Sequence, residues 1–170
     1  GIWTGTAAMV KNDGSHTNEE AFWACFSAIF GEKVFQDKAV FDEYYRVEFQ
    51  KTASECGCNP EARACVDALR AQGYRLAPAT NPLFPAVATE SRIRWAGLEP
   101  AMFELYTTYE NSRYCKPNPA YYRELLVQLA CRPEECLMVG NDVEEDMIAQ
   151  TVGMQVFLLT DCLINKKGKD

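Results

Sequence analysis

From Asn59 onward the chain alternates capped helical segments with short apolar runs, and that alternation restricts it to one kind of fold. Asn59-Pro60 has the pattern of an N-cap followed by proline at the first helical position, where a backbone N–H has no partner anyway. The helix it opens passes through Val66 and Leu69 and is expected to end at Gly73. "YRLAPATN" then reads as a strand ending near Thr80. A helix from Pro82 to Ala96 stops at Gly97, and "MFELYTTY" reads as the next strand. Asn118-Pro119 opens another capped helix, carrying Leu125, Leu126 and Leu129. "ECLMVG" is a strand, residues 143–152 a helix and "MQVFLLT" the last strand. Strands separated by helices of this length make βαβ units, so the sheet is parallel and covered on both faces. Right-handed crossovers place the C-terminal ends of all the strands along one edge, where such sheets bind ligands. The predicted fold class is therefore α/β, with a Rossmann-like parallel sheet.

The first 58 residues follow another rhythm. Thr17-Asn-Glu-Glu20 has capping-box spacing, with Thr17 as N-cap and Glu20 at the third helical position. The helix behind it carries Phe22, Phe26, Ile29 and Phe30 on one face and stops at Gly31. A second helix is expected from about Asp37 to Thr52, with Phe41, Tyr44, Tyr45 and Phe49 along its stripe. Aromatic stripes at helical spacing are packing surfaces. "CGCNP" breaks the pattern. The expected division is a small all-helical domain over 1–58 and an α/β core over 59–170.

Composition narrows the function classes. With 170 residues, 48% of them hydrophobic and 24% charged, the chain is an ordinary globular protein of one domain, or a core with a small appendage. A net charge of −7 argues against nucleic-acid or anionic-membrane partners, which need clustered Lys and Arg. Phosphate can still bind where a local cation or metal does the work. No apolar run approaches the roughly 18 residues of a transmembrane helix, and "GIWTGTAAMVKNDG" lacks the pattern of a signal peptide. The eight cysteines include no CxxC pair, and His16 is the only histidine. Reduced, mostly buried thiols in a cytoplasmic protein are expected rather than a zinc site.

At the ligand-binding edge, Asp142, Glu144, Glu145 and Asp146 crowd in behind Gly140. A helix dipole favours acids in its first turn, and that accounts for Glu144 and Glu145 as solvated residues. Asp142, just past a strand with Asp146 one turn on, also suits Mg²⁺, which takes oxygen ligands. Thr80 and Asn81 either cap the helix before Pro82 or offer a hydroxyl and an N–H to an anion. Lys116 is either plain surface or a cation held at the same edge ahead of Pro117. A hydroxyl, a lysine and a carboxylate at three successive strand ends together suit a phosphoryl group and its metal.

That order resembles the second, third and fourth motifs of the haloacid dehalogenase (HAD) superfamily: Thr80-Asn81, then Lys116-Pro117, then "VGNDVEED". "ATNPLFP" and "CKPNPAYY" look like its phosphatase-type members, which carry a helical cap after the first strand. The resemblance implies a Mg²⁺-dependent phosphohydrolase acting on a small phosphorylated metabolite through an aspartyl-phosphate. It implies that Thr80 and Asn81 hold phosphoryl oxygens and that Lys116 neutralises the nucleophile and the developing charge. It also implies that Asp142 and Asp146 serve the metal, Asp142 as ligand and Asp146 in support or orienting Lys116.

The family's first motif, DxDxT behind a strand, has no match. Asp13-Gly14-Ser15 mimics its tail, but Lys11 stands where the nucleophile belongs and "WTGTAAMV" reads as helix. Asp13 is expected in a polar turn. The chain is therefore expected to lack the strand that bears the nucleophile, and to be inactive alone. Asn141 stands where many relatives have Asp, and Pro78 is unusual in a central strand. A different reading remains open: a non-catalytic module on a HAD-like fold that binds a phosphate ligand or a partner chain. An unrelated dinucleotide binder is disfavoured because no GxGxxG follows a strand. Oligomeric state is left open.

Overall fold

The computed structural model describes residues 1–168. Six α-helices and two strands follow in order: α1 Ile2–Val10, α2 Asn18–Phe30, α3 Lys38–Arg46, α4 Pro60–Ala71, α5 Ala86–Trp95, α6 Pro119–Gln128, β1 Leu137–Gly140 and β2 Gln155–Leu158. Short 3₁₀ turns connect several of them.

The caps form as their residue types dictate. Thr17 Oγ1 accepts from Glu20 N at 3.2 Å while the Glu20 carboxylate accepts from Thr17 N at 2.8 Å. Asn59 and Asn118 each accept the N–H two residues on, at 2.9 Å, with proline behind them at the first helical position. The α2 helix packs against α1, where Gly5 permits close approach: a Cβ there would stand 2.6 Å from the Phe22 ring. Its buried stripe is Phe22, Trp23 and Phe26, whereas Ile29 and Phe30 are exposed. Gly1, which precedes α1, lies against the Phe30 ring.

The helix expected over Asp37–Thr52 breaks at Arg46. The Gln50 side-chain amide donates to the Tyr45 carbonyl at 2.8 Å and to Ser91 Oγ at 2.9 Å, which caps α3 from outside. A 3₁₀ segment, Phe49–Glu55, follows and stacks the Phe49 ring 5.0 Å from that of Trp95. In this region Met9, Phe22, Trp23, Phe26 and Val34 form one buried cluster, which Tyr109 and Cys115 join from the later part of the chain.

The second cluster contains Tyr121, Tyr122, Leu126, Met138, Ala149 and Met154. It lies beneath β1 and β2, which pair in parallel from Leu137↔Gln155 to Gly140↔Leu158. The fold is α/β, rich in helix and with a small parallel sheet.

Several expected elements are shorter or less regular. "YRLAPATN" and "MFELYTTY" lie side by side without forming strands: Glu104 N donates to Leu76 O at 3.0 Å and Thr107 N to Pro78 O at 3.2 Å. Pro78 has no N–H to return, so the ladder cannot be completed. Among the described residues no backbone hydrogen bond joins 74–81 to 137–140. Residues 143–152 give turns and a 3₁₀ segment, Met147–Val152, instead of an α-helix. The helix expected from Pro82 starts at Ala86, behind Pro85. All eight cysteines are free, but only Cys115 is buried, against the expectation of mostly buried thiols. Among the described residues no helix is long and apolar enough to cross a membrane.

Candidate active site

The site grows from Gly140, the last residue of β1. The Asp146 carboxylate occupies the space a Cβ at position 140 would fill, so only glycine lets the chain fold back this tightly. Asp146 Oδ2 accepts the N–H groups of both Asn141 and Asp142 at 3.0 Å. Its other oxygen accepts from Lys116 Nζ at 2.6 Å, in an ion pair whose side chains are 5% and 9% exposed. Two charges removed from water need this pairing; losing one partner costs about 3–5 kcal/mol.

Aromatic and amide groups hold Lys116 in place. Its ammonium sits 5.7 and 5.8 Å from the ring centres of Tyr121 and Tyr122. Its backbone N–H donates to Asn81 Oδ1 at 3.2 Å, and the Lys116–Pro117 peptide is cis. Burial pushes both tyrosine phenols well above their ordinary range, so they remain neutral beside the cation. Both hydroxyls lock neighbouring segments. Tyr121 Oη donates to the Thr80 carbonyl at 2.9 Å, and Tyr122 Oη to the Glu145 carbonyl at 2.6 Å.

Asn81 closes the circuit, its Nδ2 donating to Glu145 Oε2 at 3.3 Å. Thus Asn81, Lys116, Asp142, Glu145 and Asp146 belong to one hydrogen-bonded network drawn from three separate stretches of sequence. Thr80 joins through its backbone. Its hydroxyl donates to the Thr107 carbonyl at 3.2 Å, and Thr107 Oγ1 returns a bond to Thr80 O at 2.7 Å.

The four acids differ in their partners. Asp146 has both oxygens engaged, one by Lys116 and one by the N–H pair, a geometry that orients the lysine. Asp142 uses Oδ1 to accept from Glu144 N at 2.8 Å and Glu145 N at 2.9 Å, and Oδ2 takes no hydrogen bond among the described residues. Glu144 pairs with Lys167 at 3.0 Å. Glu145, expected as a solvated residue, is half-buried. Burial, and then the neighbouring Asp142 charge, raise its pKa above the usual carboxylate value. That is the mark of a place with more negative charge than its solvation supports.

A divalent cation fits this surplus. Among the described residues no group of three or more His, Cys, Asp and Glu is arranged to hold a metal. Mg²⁺, however, takes one or two carboxylates and fills its remaining positions with water and phosphate. Asp142, with Glu145 beside it, meets that requirement, and Asp13 is far from doing so in kind: it lies exposed in the turn between α1 and α2, bonded to Ser15 N at 2.9 Å. Sequence reasoning gave no role to Tyr121, Tyr122 or Glu145. The two tyrosines stand in "CKPNPAYY", but nothing local to that string says that their rings face Lys116.

Comparison with known proteins gives the following. Residues 14–150 match the profile of haloacid dehalogenase-like hydrolases. A glyceraldehyde 3-phosphate phosphatase of Methanothermobacter thermautotrophicus is 29% identical over 119 residues, covering 65% of this chain and 51% of that protein. The pyrophosphatase PpaX of Bacillus velezensis is 30% identical over 88 residues, covering 52% of this chain and 39% of that protein. The chain thus spans about half, or less, of these curated relatives' length. A HAD phosphatase structure from Thermococcus onnurineus shares the fold with a TM-score of 0.58 at 22% identity, over 99% of this chain and 79% of that one. A predicted phosphoglycolate phosphatase from Haemophilus somnus 129PT aligns with a TM-score of 0.55 at 26% identity, over 91% of this chain and 69% of that one.

Proposed function

Because this chain belongs to the haloacid dehalogenase-like hydrolase family, we propose that it is the larger part of a Mg²⁺-dependent phosphohydrolase of small phosphorylated metabolites. The observation that carries the reading is the buried Lys116–Asp146 pair, tied through one network to Asn81 and Asp142. Residues 1–58 act as the cap and 59–170 as the core. The nucleophilic aspartate comes from a segment outside these 170 residues. In support, among the described residues 74–81 and 137–140 share no backbone hydrogen bond, as expected if a further strand lies between them.

The chemistry proceeds in two balanced steps. A carboxylate oxygen of the outside aspartate bonds to phosphorus as the ester P–O bond breaks, and a second carboxyl group protonates the departing oxygen. That second group then takes a proton from water as water attacks the phosphoryl-aspartate and frees phosphate. Lys116 holds positive charge beside the attacking carboxylate, kept in line by Asp146 and the two tyrosine rings. The Asn81 N–H and the Thr80 hydroxyl take phosphoryl oxygens, for which Thr80 turns away from the Thr107 carbonyl. Asp142 holds the metal, which when bound offsets the charge of the phosphoryl oxygens. Asp146 serves by orienting Lys116.

The test is to express this chain alone and with the coding sequence that precedes Gly1. Only the extended product is expected to hydrolyse a generic phosphate ester in Mg²⁺. Hydrolysis by the 170-residue chain that survives Asp142→Ala would defeat the assignment. An extended product that binds phosphate esters without turning them over would favour a non-catalytic binding module.

A further inference from the structure

A cavity of about 580 Å³ lies between the N-terminal helices and the segment Leu83–Pro85. That volume suits a small organic molecule. Nine of its sixteen lining residues are aromatic, and a single one, Asp42, is charged. Among the described residues no Lys or Arg lines it.

Two of the polar side chains in its wall, Trp23 and Tyr109, are buried. Trp23 is 4% exposed, and its indole Nε1 is buried with no hydrogen-bond acceptor. It lies near the Tyr109 hydroxyl and lowers that group's pKa against the larger effect of burial, but the contact falls outside hydrogen-bond geometry. Burial is the larger effect and raises the Tyr109 phenol, and the charges of Glu19, Glu110 and Asp42 raise it further. A buried donor without an acceptor is an unmet demand in a folded protein, and one uncharged oxygen from a ligand meets it. Of these acids Asp42 lines the cavity itself and disfavours a second anionic group there, while Glu19 is paired with Lys38.

The cavity borders the segment that leads out of the phosphoryl site, through Leu83, Phe84 and Pro85. Leu83 follows Thr80 by three residues, a reach of at most about 11 Å even if fully extended. Asn18 Nδ2, at the start of α2, donates to Pro82 O at 3.2 Å and to Cys115 Sγ at 3.4 Å, so one side chain grips both the 80–85 segment and the residue before Lys116. Tyr109 N donates to Phe84 O at 3.0 Å.

We propose that this cavity receives the leaving group of the substrate, and that the preferred substrate is a phosphate monoester of an uncharged aromatic or apolar alcohol. The proposal rests on the phosphohydrolase reading above. It separates this chain from any enzyme whose substrate carries a second anion: such a substrate finds no cation here and meets Asp42.

The experiment uses the gene product that includes the sequence preceding Gly1. Tryptophan fluorescence is titrated with benzyl alcohol, which carries no phosphate and therefore reports on the cavity whatever the activity. In parallel, kcat/KM is measured for benzyl phosphate and phosphoglycolate, in the natural protein and in Val40→Trp, which narrows the cavity from its exposed rim. Saturable benzyl alcohol binding is expected, weakened at least fivefold by Val40→Trp. Benzyl phosphate is expected to exceed phosphoglycolate at least tenfold in kcat/KM, with the ratio falling in the variant. Absence of binding, as when the preceding segment itself fills the cavity, overturns the proposal, and so does a ratio near one. Binding that Val40→Trp weakens, with neither ester hydrolysed, supports the apolar cavity and overturns the phosphohydrolase reading instead.

Discussion

The aromatic cluster of the first 58 residues and the polar edge around Lys116 are both well buried, yet opposite physics holds them together. In the first, Phe22, Trp23, Phe26 and Phe41 meet edge-on or stacked at ring separations of 5.2–6.3 Å. Such contacts are individually weak and far less directional than hydrogen bonds, so a ring can shift and still be covered. At the edge, the bonds are specific: one carboxylate serves a lysine and two N–H groups, and one asparagine bridges two segments. The difference teaches which changes each region tolerates. The aromatic region should absorb a change of shape, and the polar edge should fail at a single atom.

The largest effect is expected from Asp146→Ala, which strands Lys116 as a buried unpaired cation and frees two N–H groups. A loss of about 3–5 kcal/mol in chemical denaturation is expected. A loss under 1 kcal/mol would mean that the pair is more solvated than its geometry indicates. Next is Gly140→Ala. Its new Cβ displaces the Asp146 carboxylate, and about 1–3 kcal/mol of overpacking strain should appear in the same measurement. Phe26→Leu should cost less, under about 1.5 kcal/mol, with ester hydrolysis by the extended product unchanged. If Phe26→Leu proves as damaging as Gly140→Ala, the contrast between the two regions is wrong.

The smallest effect concerns Glu145. Its pKa is raised in the fold, so its contribution to stability is full below its unfolded pKa and is lost as pH rises through the folded value. Above that window the ionised group destabilises the metal-free chain. Glu145→Gln is expected to raise the melting temperature slightly at neutral pH and to leave it unchanged at acid pH. Added Mg²⁺ should narrow the gap by stabilising the natural protein more than the variant.

The same contrast explains what the sequence disclosed. The caps at Thr17, Asn59 and Asn118 were legible because a cap depends on the residue and its next three neighbours. The break after Arg46 was not, since Gln50 works through Ser91, 41 residues away. The irregular stretch before Thr80 was foreshadowed by Pro78, but strand regularity also depends on a partner on each side, which a local pattern cannot supply. Thr80-Asn81, Lys116 and Asp142 could be listed as residues at strand ends. That Lys116 pairs with Asp146 and lies over Tyr121 and Tyr122 depends on contacts made across the fold. The burial of Glu145 is another such case, set by Asn81 from 64 residues away.

The central claim is that Asp142 anchors the metal for a phosphoryl group held beside Lys116. Its most direct test is hydrolysis of a generic phosphate ester in Mg²⁺ by the extended product carrying Asp142→Asn. The asparagine keeps the oxygen that accepts from Glu144 and Glu145 N–H, so the turn survives, but it loses the charge. A fall in kcat of at least about a hundredfold, or about 2.7 kcal/mol, is the predicted result. Undiminished turnover in a variant that remains folded would contradict the account.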